Sequence, residues 1–146
     1  MNEVYRCGAL IDGNGGAPVK GASIWVEKGR IAAVMGPGDG TPEGAKVVDL
    51  SRYTVIPGLI DMHVHVDYWY SHANRAEYEG EGGDGLAACL AARNLRSTLE
   101  KGVTTVRDVA SGLGLKMRRA IELGYVPGSR VFTAGKGICM TGGHGS

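Results

Sequence analysis

The sequence predicts an α/β protein in which a meander of short strands is followed by alternating strands and helices. Over residues 4–50, short apolar segments are separated by clusters of Gly, Asp and Asn, a pattern typical of antiparallel strands and turns. Beyond residue 65, strand-like and helix-like stretches alternate. Two successive β-α-β passes indicate parallel strands joined by right-handed crossovers.

Turn residues delimit the strands of the meander. We predict strands at residues 4–11, 22–27 and 30–35. The first ends at Asp12, where a glycine-rich run begins, and Lys28-Gly29 is the two-residue hairpin turn between the other two. A meander with one buried face needs a second sheet to cover it. Pro57-Gly58 marks the passage into the β/α part.

The β/α part carries signals for the start and the end of two helices. Asp84 is expected to cap a helix that ends before Gly102, and a second helix is expected to end at Gly124. Between Leu86 and Leu99, leucines and alanines recur at helical spacing and form one apolar stripe. The predicted segments are helices at 85–101 and 113–123 and strands at 59–66, 103–107 and 130–134.

His63 and His65 are the most informative residues of the chain. Alternate residues of a strand point to the same face, so both imidazoles project together if residues 59–66 form a strand. Apolar residues precede the pair, which places it at the end of a buried strand rather than on a wet loop. Imidazole suits Zn²⁺, Mn²⁺ or Fe²⁺, and an open site that holds such an ion can activate water near neutral pH. The pair therefore predicts a metal site, against the alternative of two histidines in one strand by chance.

Three segments of the chain resemble the amidohydrolase superfamily of metal-dependent hydrolases. The stretch VIPGLIDMHVH at residues 55–65 is similar to the first strand of the (β/α)8 barrel of that superfamily. GVTTVRD at residues 102–108 is similar to the second barrel strand, and residues 135–145, which end in TGGHG, resemble the close of the third. Together they resemble the branch that contains imidazolonepropionase-like proteins and the metal-dependent prolidases and dipeptidases.

The resemblance implies two domains, each incomplete. Residues 1–56 would be the N-terminal part of a small β-sandwich domain, and residues 57–146 the first three β/α units of a metal-dependent hydrolase barrel. A (β/α)8 TIM barrel needs about 250 residues, whereas this chain has 146. We therefore expect the N-terminal part of a longer protein. We also expect residues 1–146 alone to fold poorly and to associate through open strand edges and uncovered apolar faces.

The resemblance also implies roles for individual residues. His63 and His65 would hold one metal ion of a site with one or two divalent ions, Zn²⁺ or else Mn²⁺ or Fe²⁺. The other ligands, and a late aspartate that shuttles the proton, would lie beyond Ser146, so no catalytic residue is expected within the chain itself. His144, in a glycine-rich turn after the third strand, would bind substrate; the alternative is an exposed turn histidine.

Three further features have both a functional and a structural interpretation. Arg107-Asp108 could be a functional pair, but an ion pair that ties barrel loops together is favoured. Asp61 is assigned a structural or supporting role rather than that of a ligand. The long loop 66–83 carries a cluster that could line a substrate pocket or pack against neighbouring helices. The members of this cluster are Asp67, Tyr68, Trp69, Tyr70 and His72.

Charge and cysteine content narrow the classes of partner. The net charge is +1, from 16 basic and 15 acidic residues, which gives no electrostatic signature for nucleic acid or an anionic membrane. Cys7, Cys89 and Cys139 have no C-x-x-C spacing, so free, buried cysteines in a reducing compartment are expected. With no leader and no membrane-length apolar stretch visible, these features predict a cytoplasmic protein with a small-molecule substrate. Association of identical chains stays open.

The leading hypothesis is a metal-dependent amidohydrolase that hydrolyses a C–N bond, in a dipeptide or an N-acyl amino acid, with metal-activated water. The nearest alternative is hydrolysis of a cyclic amide, as in imidazolonepropionase. An alternative from a different class is that the isolated chain is a non-catalytic fragment that lacks most of the ligands.

Overall fold

The computed structural model describes residues 2–68 and 83–143. The chain divides into two compact units, Met1–Pro57 and Gly58–Ser146. Each unit has its own sheet: five strands in the first and three in the second, counted over the described residues. The α/β class predicted from the sequence is confirmed, because the second unit combines parallel strands with helices.

The first unit is a mixed sheet centred on one long strand. Its strands are β1 (Asn2–Leu10), β2 (Val19–Lys20), β3 (Ser23–Glu27), β4 (Arg30–Met35) and β5 (Lys46–Val55). β1 pairs antiparallel with β2 and β3, β3 pairs antiparallel with β4, and β1 pairs parallel with β5. The buried apolar residues of this unit, Val4, Cys7, Leu10 and Ala22, lie on β1 or directly before β3.

The hairpin between β3 and β4 turns where the sequence predicts it. Lys28 and Gly29 have φ values of 52° and 76°. Positive φ at both central residues is the conformation of the turn that matches the twist of paired strands, and glycine adopts it without steric cost. The predicted strand 30–35 is confirmed at both ends.

The second unit is built from two β-α-β passes. Its elements are β6 (Leu59–Val64), α1 (Gly83–Glu100), β7 (Val103–Asp108), α2 (Gly114–Glu122) and β8 (Arg130–Thr133). The strands lie in the order β6-β7-β8 and both pairings are parallel, as predicted. Gly102 and Gly124 follow the two helices with φ values of 89° and 73°, which confirms the predicted glycine ends.

The predicted capping role of Asp84 is wrong. The helix begins at Gly83, so Asp84 lies within the first turn instead of preceding it. A carboxylate there still faces the positive end of the helix dipole, which explains why the sequence signal pointed to this region.

The core of the second unit lies between the helices and the sheet. Its members are buried apolar side chains from both helices, the last two strands and the residues just after β6 and just before α2: Val66, Ala91, Leu95, Val106, Leu113, Met117 and Val131. Leu86, which belongs to the predicted apolar stripe, is exposed, and the buried part of the helix is formed by alanines together with Leu95. Small side chains there let α1 approach the sheet closely.

The three cysteines are all free, but only Cys7 is buried. Cys89 and Cys139 are exposed, so the expectation of burial is wrong for these two. Burial raises the pKa of the Cys7 thiol, which disfavours the thiolate needed for a metal ligand. Among the described helices, none has the length and apolar character that a bilayer span requires.

Candidate metal centre

The two histidines lie together at the C-terminal end of β6. His63 is the fifth residue of the strand and is exposed, whereas His65 follows directly after the strand and is half-buried. Their ring centroids are 5.5 Å apart, and the ring planes make an angle of 78°. This separation is close to the ~5 Å expected for two imidazoles that share one tetrahedral ion with metal–nitrogen distances of about 2.1 Å.

An irregularity in β6 accompanies His63. Between Asp61 and Val64, β6 advances three residues while β7 advances only two, from Val106 to Asp108. One extra residue in β6 is a β-bulge, a feature that often redirects side chains beside a functional site. The backbone N–H of His63 donates to Oδ1 of Asp61 at 3.1 Å. Asp61 therefore has the structural role predicted for it, because its carboxylate binds the backbone beside the bulge.

His65 is held between an aromatic ring and the protein interior. The ring of Tyr68 stacks on its imidazole, with centroids 4.4 Å apart and planes inclined by 16°. Nδ1 of His65 is buried and has no hydrogen-bond partner among the described residues. A buried polar atom without a partner costs free energy, and a nitrogen that binds a metal ion escapes this cost. The donor type and burial of His65 thus fit a metal ligand.

Hydrogen bonds hold the turn after His65 to the rest of the second unit. The Tyr68 N–H donates to the carbonyl of His65 at 3.3 Å. From α1, Nδ2 of Asn94 donates to the carbonyls of Val66 and Tyr68 at 3.4 and 3.3 Å. Oδ2 of Asp67 accepts the N–H of Leu113 at 3.1 Å, just before α2 begins. Bonds to both helical regions therefore restrict the residues that follow the histidine pair.

A buried carboxylate joins the C-terminal ends of the three strands. Asp108, at the end of β7, is fully buried. The hydroxyl of Ser111 donates to its Oδ1, and the hydroxyl of Thr133, on β8, donates to its Oδ2 at 2.6 Å. We call these three residues the Asp108 cluster. Its hydroxyls also accept backbone N–H groups at 3.0 Å each: Ser111 binds Val66, and Thr133 binds Gly135.

The favoured interpretation of Arg107-Asp108 as an ion pair is therefore wrong. Arg107 is exposed and Asp108 buried, because consecutive strand residues point to opposite faces. Within the described ranges, Arg107 takes part in no ion pair. Two hydroxyls satisfy the carboxylate instead. Asp108 does tie loops together, but through neutral donors.

The remaining predicted site residues are only partly described. Of the cluster in loop 66–83, the structure describes Asp67 and Tyr68, while Trp69, Tyr70 and His72 lie outside the described residues. His144 lies outside them as well. No group of three or more His, Cys, Asp or Glu side chains that could hold a metal occurs among the described residues. The described part thus contributes two candidate ligands, the histidine pair at the C-terminal end of β6.

Sequence reasoning missed Asn94, Ser111 and Thr133. Each forms at least one hydrogen bond to a residue 25 or more positions away, and the only short links among these bonds join Ser111 to Asp108 and Thr133 to Gly135. A weak signal existed for Ser111, since a serine shortly after a strand end often binds nearby backbone or carboxylate groups. For Asn94 and Thr133, the sequence alone gives no local indication.

Comparison with known proteins decides the family. The sequence model of the amidohydrolase family matches residues 54–142, which is more than half of the chain. The chain belongs to the amidohydrolase family. This confirms the resemblance of residues 55–65, 102–108 and 135–145, because all but the last few of these residues fall within the match.

Relatives of this amidohydrolase include enzymes named for different substrates. Ochratoxinase from Aspergillus niger is 31% identical over 150 residues, an alignment that covers 97% of this chain and 30% of the relative. Imidazolonepropionase from Geobacillus kaustophilus is 32% identical over 134 residues, covering 71% of this chain and 31% of the relative. The crystal structure of a Xaa-Pro dipeptidase with methionine bound in its active site superimposes with a TM-score of 0.86 at 35% identity.

That superposition covers 99% of this chain and 36% of the dipeptidase. The amidohydrolase chain thus spans about a third of the length of the relatives that it matches.

Proposed function

We propose that this amidohydrolase contributes two metal ligands, His63 and His65, to a hydrolase that cleaves a carbon–nitrogen bond. The observation that carries the proposal is the pair itself: two imidazoles 5.5 Å apart at the C-terminal end of a parallel strand. In (β/α)8 barrels this end of the strands is where active sites lie. We accordingly propose that residues 57–146 belong to such a barrel and that residues 1–56 belong to a small β-sandwich.

The residues present fit a divalent ion. Imidazole nitrogens are preferred by Zn²⁺, and Mn²⁺ or Fe²⁺ are compatible alternatives. When bound, such an ion supplies Lewis-acid chemistry and lowers the pKa of water towards neutrality. The chain's own part is to hold the two imidazoles. β6 fixes the backbone of His63. The stacked Tyr68 ring and the hydrogen-bonded turn restrict the position of the His65 imidazole. Further ligands and the group that shuttles the proton are proposed to come from outside residues 1–146.

The proposed substrate is a dipeptide or an N-acyl amino acid. Support comes from the similarity to a Xaa-Pro dipeptidase over 99% of this chain. We propose that His144 contacts the substrate, because the glycines beside it allow the backbone to approach a bound molecule closely. A small neutral or zwitterionic substrate also suits the net charge of +1.

A second candidate is hydrolysis of a cyclic amide. The observation that favours it is the 32% identity to the imidazolonepropionase of Geobacillus kaustophilus over 71% of this chain. Both candidates use the same histidine pair and differ in the fate of the leaving amine. Hydrolysis of a linear amide releases the amine as a separate molecule, whereas hydrolysis of a cyclic amide leaves it attached to the ring-opened product.

The test is metal analysis joined to a hydrolysis screen on the protein expressed from its whole reading frame. Dipeptides, N-acyl amino acids and cyclic amides form the three arms of the screen. His63→Ala and His65→Ala should each lower the metal content and abolish turnover, whereas His72→Ala removes one imidazole from outside the pair and should leave the metal content unchanged. Equal metal content in all three variants would refute the site. A protein without metal and without turnover would support the non-catalytic alternative.

A further inference from the structure

The two hydroxyls of the Asp108 cluster, on Ser111 and Thr133, form the same pattern of hydrogen bonds. We call each hydroxyl with its two hydrogen bonds an arm of the cluster. In each arm one hydroxyl donates to a carboxylate oxygen of Asp108 and accepts one backbone N–H. The Ser111 arm binds Val66, the residue directly after His65, and the Thr133 arm binds Gly135, two residues beyond β8. The two arms therefore bind different loops, and only the Ser111 arm binds a residue next to the histidine pair.

The carboxylate sets the direction of the Ser111 hydroxyl. A serine hydroxyl has a single hydrogen and two acceptor lone pairs. Because its hydrogen is donated to Asp108, its lone pairs are left for the N–H of Val66, which lies 3.0 Å away. A hydrogen bond to an ionised acceptor is stronger than one between neutral groups, so the orientation is well defined.

Val66 depends on this hydroxyl because the strand ladder ends before it. The last ladder contact at this end joins the N–H of Val109 to the carbonyl of Val64 at 3.0 Å. Val66 is only 3% exposed, so water does not readily replace the serine. Ser111 binds the residue that follows His65, whereas the bulged part of β6 precedes it along the chain. The histidine pair is thus fixed at both ends, by Asp61 before it and by Ser111 after it.

We propose that Ser111, oriented by Asp108, is a positioning residue for the metal site formed by His63 and His65. The inference rests on the proposed function, because it assumes that the pair binds metal. Ser111 contacts neither imidazole; it acts through the backbone of Val66 and fixes where the imidazole of His65 lies. Groups that orient metal ligands in this indirect way typically contribute about 10-fold to 100-fold in metal affinity.

The two arms provide a matched pair of variants. Ser111→Ala and Thr133→Val each remove one hydroxyl, one hydrogen bond to Asp108 and one acceptor for a backbone N–H. If the cluster only stabilises the fold, the two variants should behave alike. If Ser111 positions the metal site, Ser111→Ala should weaken metal binding by about 10-fold or more, whereas Thr133→Val should change it by less than about 3-fold.

Three measurements on the full-length protein separate these cases. Competition with a chelator gives the Zn²⁺ dissociation constant, and urea unfolding gives the stability of each variant. Hydrogen exchange on the metal-free protein reports the N–H of Val66 without any metal or substrate. We expect the peptide that contains Val66 to exchange faster in Ser111→Ala than in Thr133→Val.

Each outcome bears on a defined claim. Equal Zn²⁺ affinity in Ser111→Ala and Thr133→Val would overturn the positioning role, while metal binding that depends on His63 would keep the proposed function intact. Wild-type protein that binds no Zn²⁺ through His63 would overturn both. Should Ser111→Ala not fold, Ser111→Cys takes its place, because the thiol of cysteine is a weaker hydrogen-bond acceptor than the hydroxyl of serine. Unchanged Zn²⁺ affinity and Val66 exchange in that variant would equally overturn the inference.

Discussion

Substitution of Gly114 by alanine should destabilise the second unit, because no space is free beside this residue. It is the first residue of α2 and lies against the Asp108 cluster. A Cβ atom added there would lie 2.2 Å from Oδ2 of Asp108 and 2.3 Å from Oγ1 of Thr133. Non-bonded contacts of this kind normally lie near ~3.5 Å, so the two oxygens must retreat by roughly 1 Å. Their mutual hydrogen bond of 2.6 Å would be strained or lost.

The magnitude follows from the groups that must move. Overpacking a well-packed site costs about 1–3 kcal/mol, and loss of a hydrogen bond to a charged group costs about 1.5–3 kcal/mol. The two effects overlap, because movement of Thr133 relieves the clash as it breaks the bond. Alanine also lowers the conformational entropy of the unfolded chain relative to glycine, which offsets about 0.4–1 kcal/mol of this loss in stability. We therefore expect Gly114→Ala to lower the free energy of unfolding by about 2–4 kcal/mol.

Gly85→Ala is the matched control. Gly85 lies in α1, is exposed, and has no atom within 4 Å of the position that a Cβ would take. Alanine there should raise the free energy of unfolding by about 0.4–1 kcal/mol, through better helix propensity and a more restricted unfolded state. Urea unfolding of both variants beside the wild type measures the two effects. Equal stability of the two variants, or a Gly114→Ala protein as stable as the wild type, would refute the reasoning.

Three further outcomes are expected. Tyr68→Leu removes the ring that stacks on His65 and should weaken Zn²⁺ binding measured by chelator competition, whereas Tyr68→Phe retains the stack and should not; equal affinities would exclude a role for the ring. His144→Ala should keep its metal while kcat/KM falls by about 1–3 kcal/mol of transition-state stabilisation; loss of metal would instead make it a ligand or its support. Residues 1–146 alone should associate in sedimentation experiments, because Ile60 and Phe132 are 61% and 58% exposed; a compact monomer with cooperative melting would contradict this.

The sequence predicts the parts of this fold that depend on neighbouring residues. Helix ends follow from Gly102 and Gly124, and the hairpin turn follows from Lys28-Gly29, because each signal acts within one turn of the chain. The histidine pair is also a local signal, and its rings lie 5.5 Å apart, but β6 ends at Val64, so the predicted strand 59–66 is two residues too long and only His63 lies within it. Local physics is enough to find these features.

The features that the sequence does not predict depend on distant partners. The parallel pairing of β1 with β5 joins residues about 40 positions apart, and nothing in the composition of β5 specifies that neighbour. The bulge beside His63 arises from how β6 meets β7, so the alternation of β6 gives no sign of it. The partners of Asp108 were missed for the same reason. A charged neighbour in the sequence suggested an ion pair, while the actual donors include Thr133, 25 positions away.

The two arms of the Asp108 cluster share one anion, and this makes the loops after β6 and β8 thermodynamically linked. Ser111 and Thr133 donate to the two different oxygens of the same carboxylate. A change in the strength of one hydrogen bond therefore changes the negative charge on the oxygen that accepts the other. Linkage of this kind is reciprocal: ordering the loop at Gly135 favours order at Val66 by the same free energy as the reverse, an energy small enough that Thr133→Val still changes Zn²⁺ affinity by less than about 3-fold. Combined substitution of both hydroxyls should therefore give a non-additive loss of stability, and the size of the deviation measures how strongly the two loops communicate.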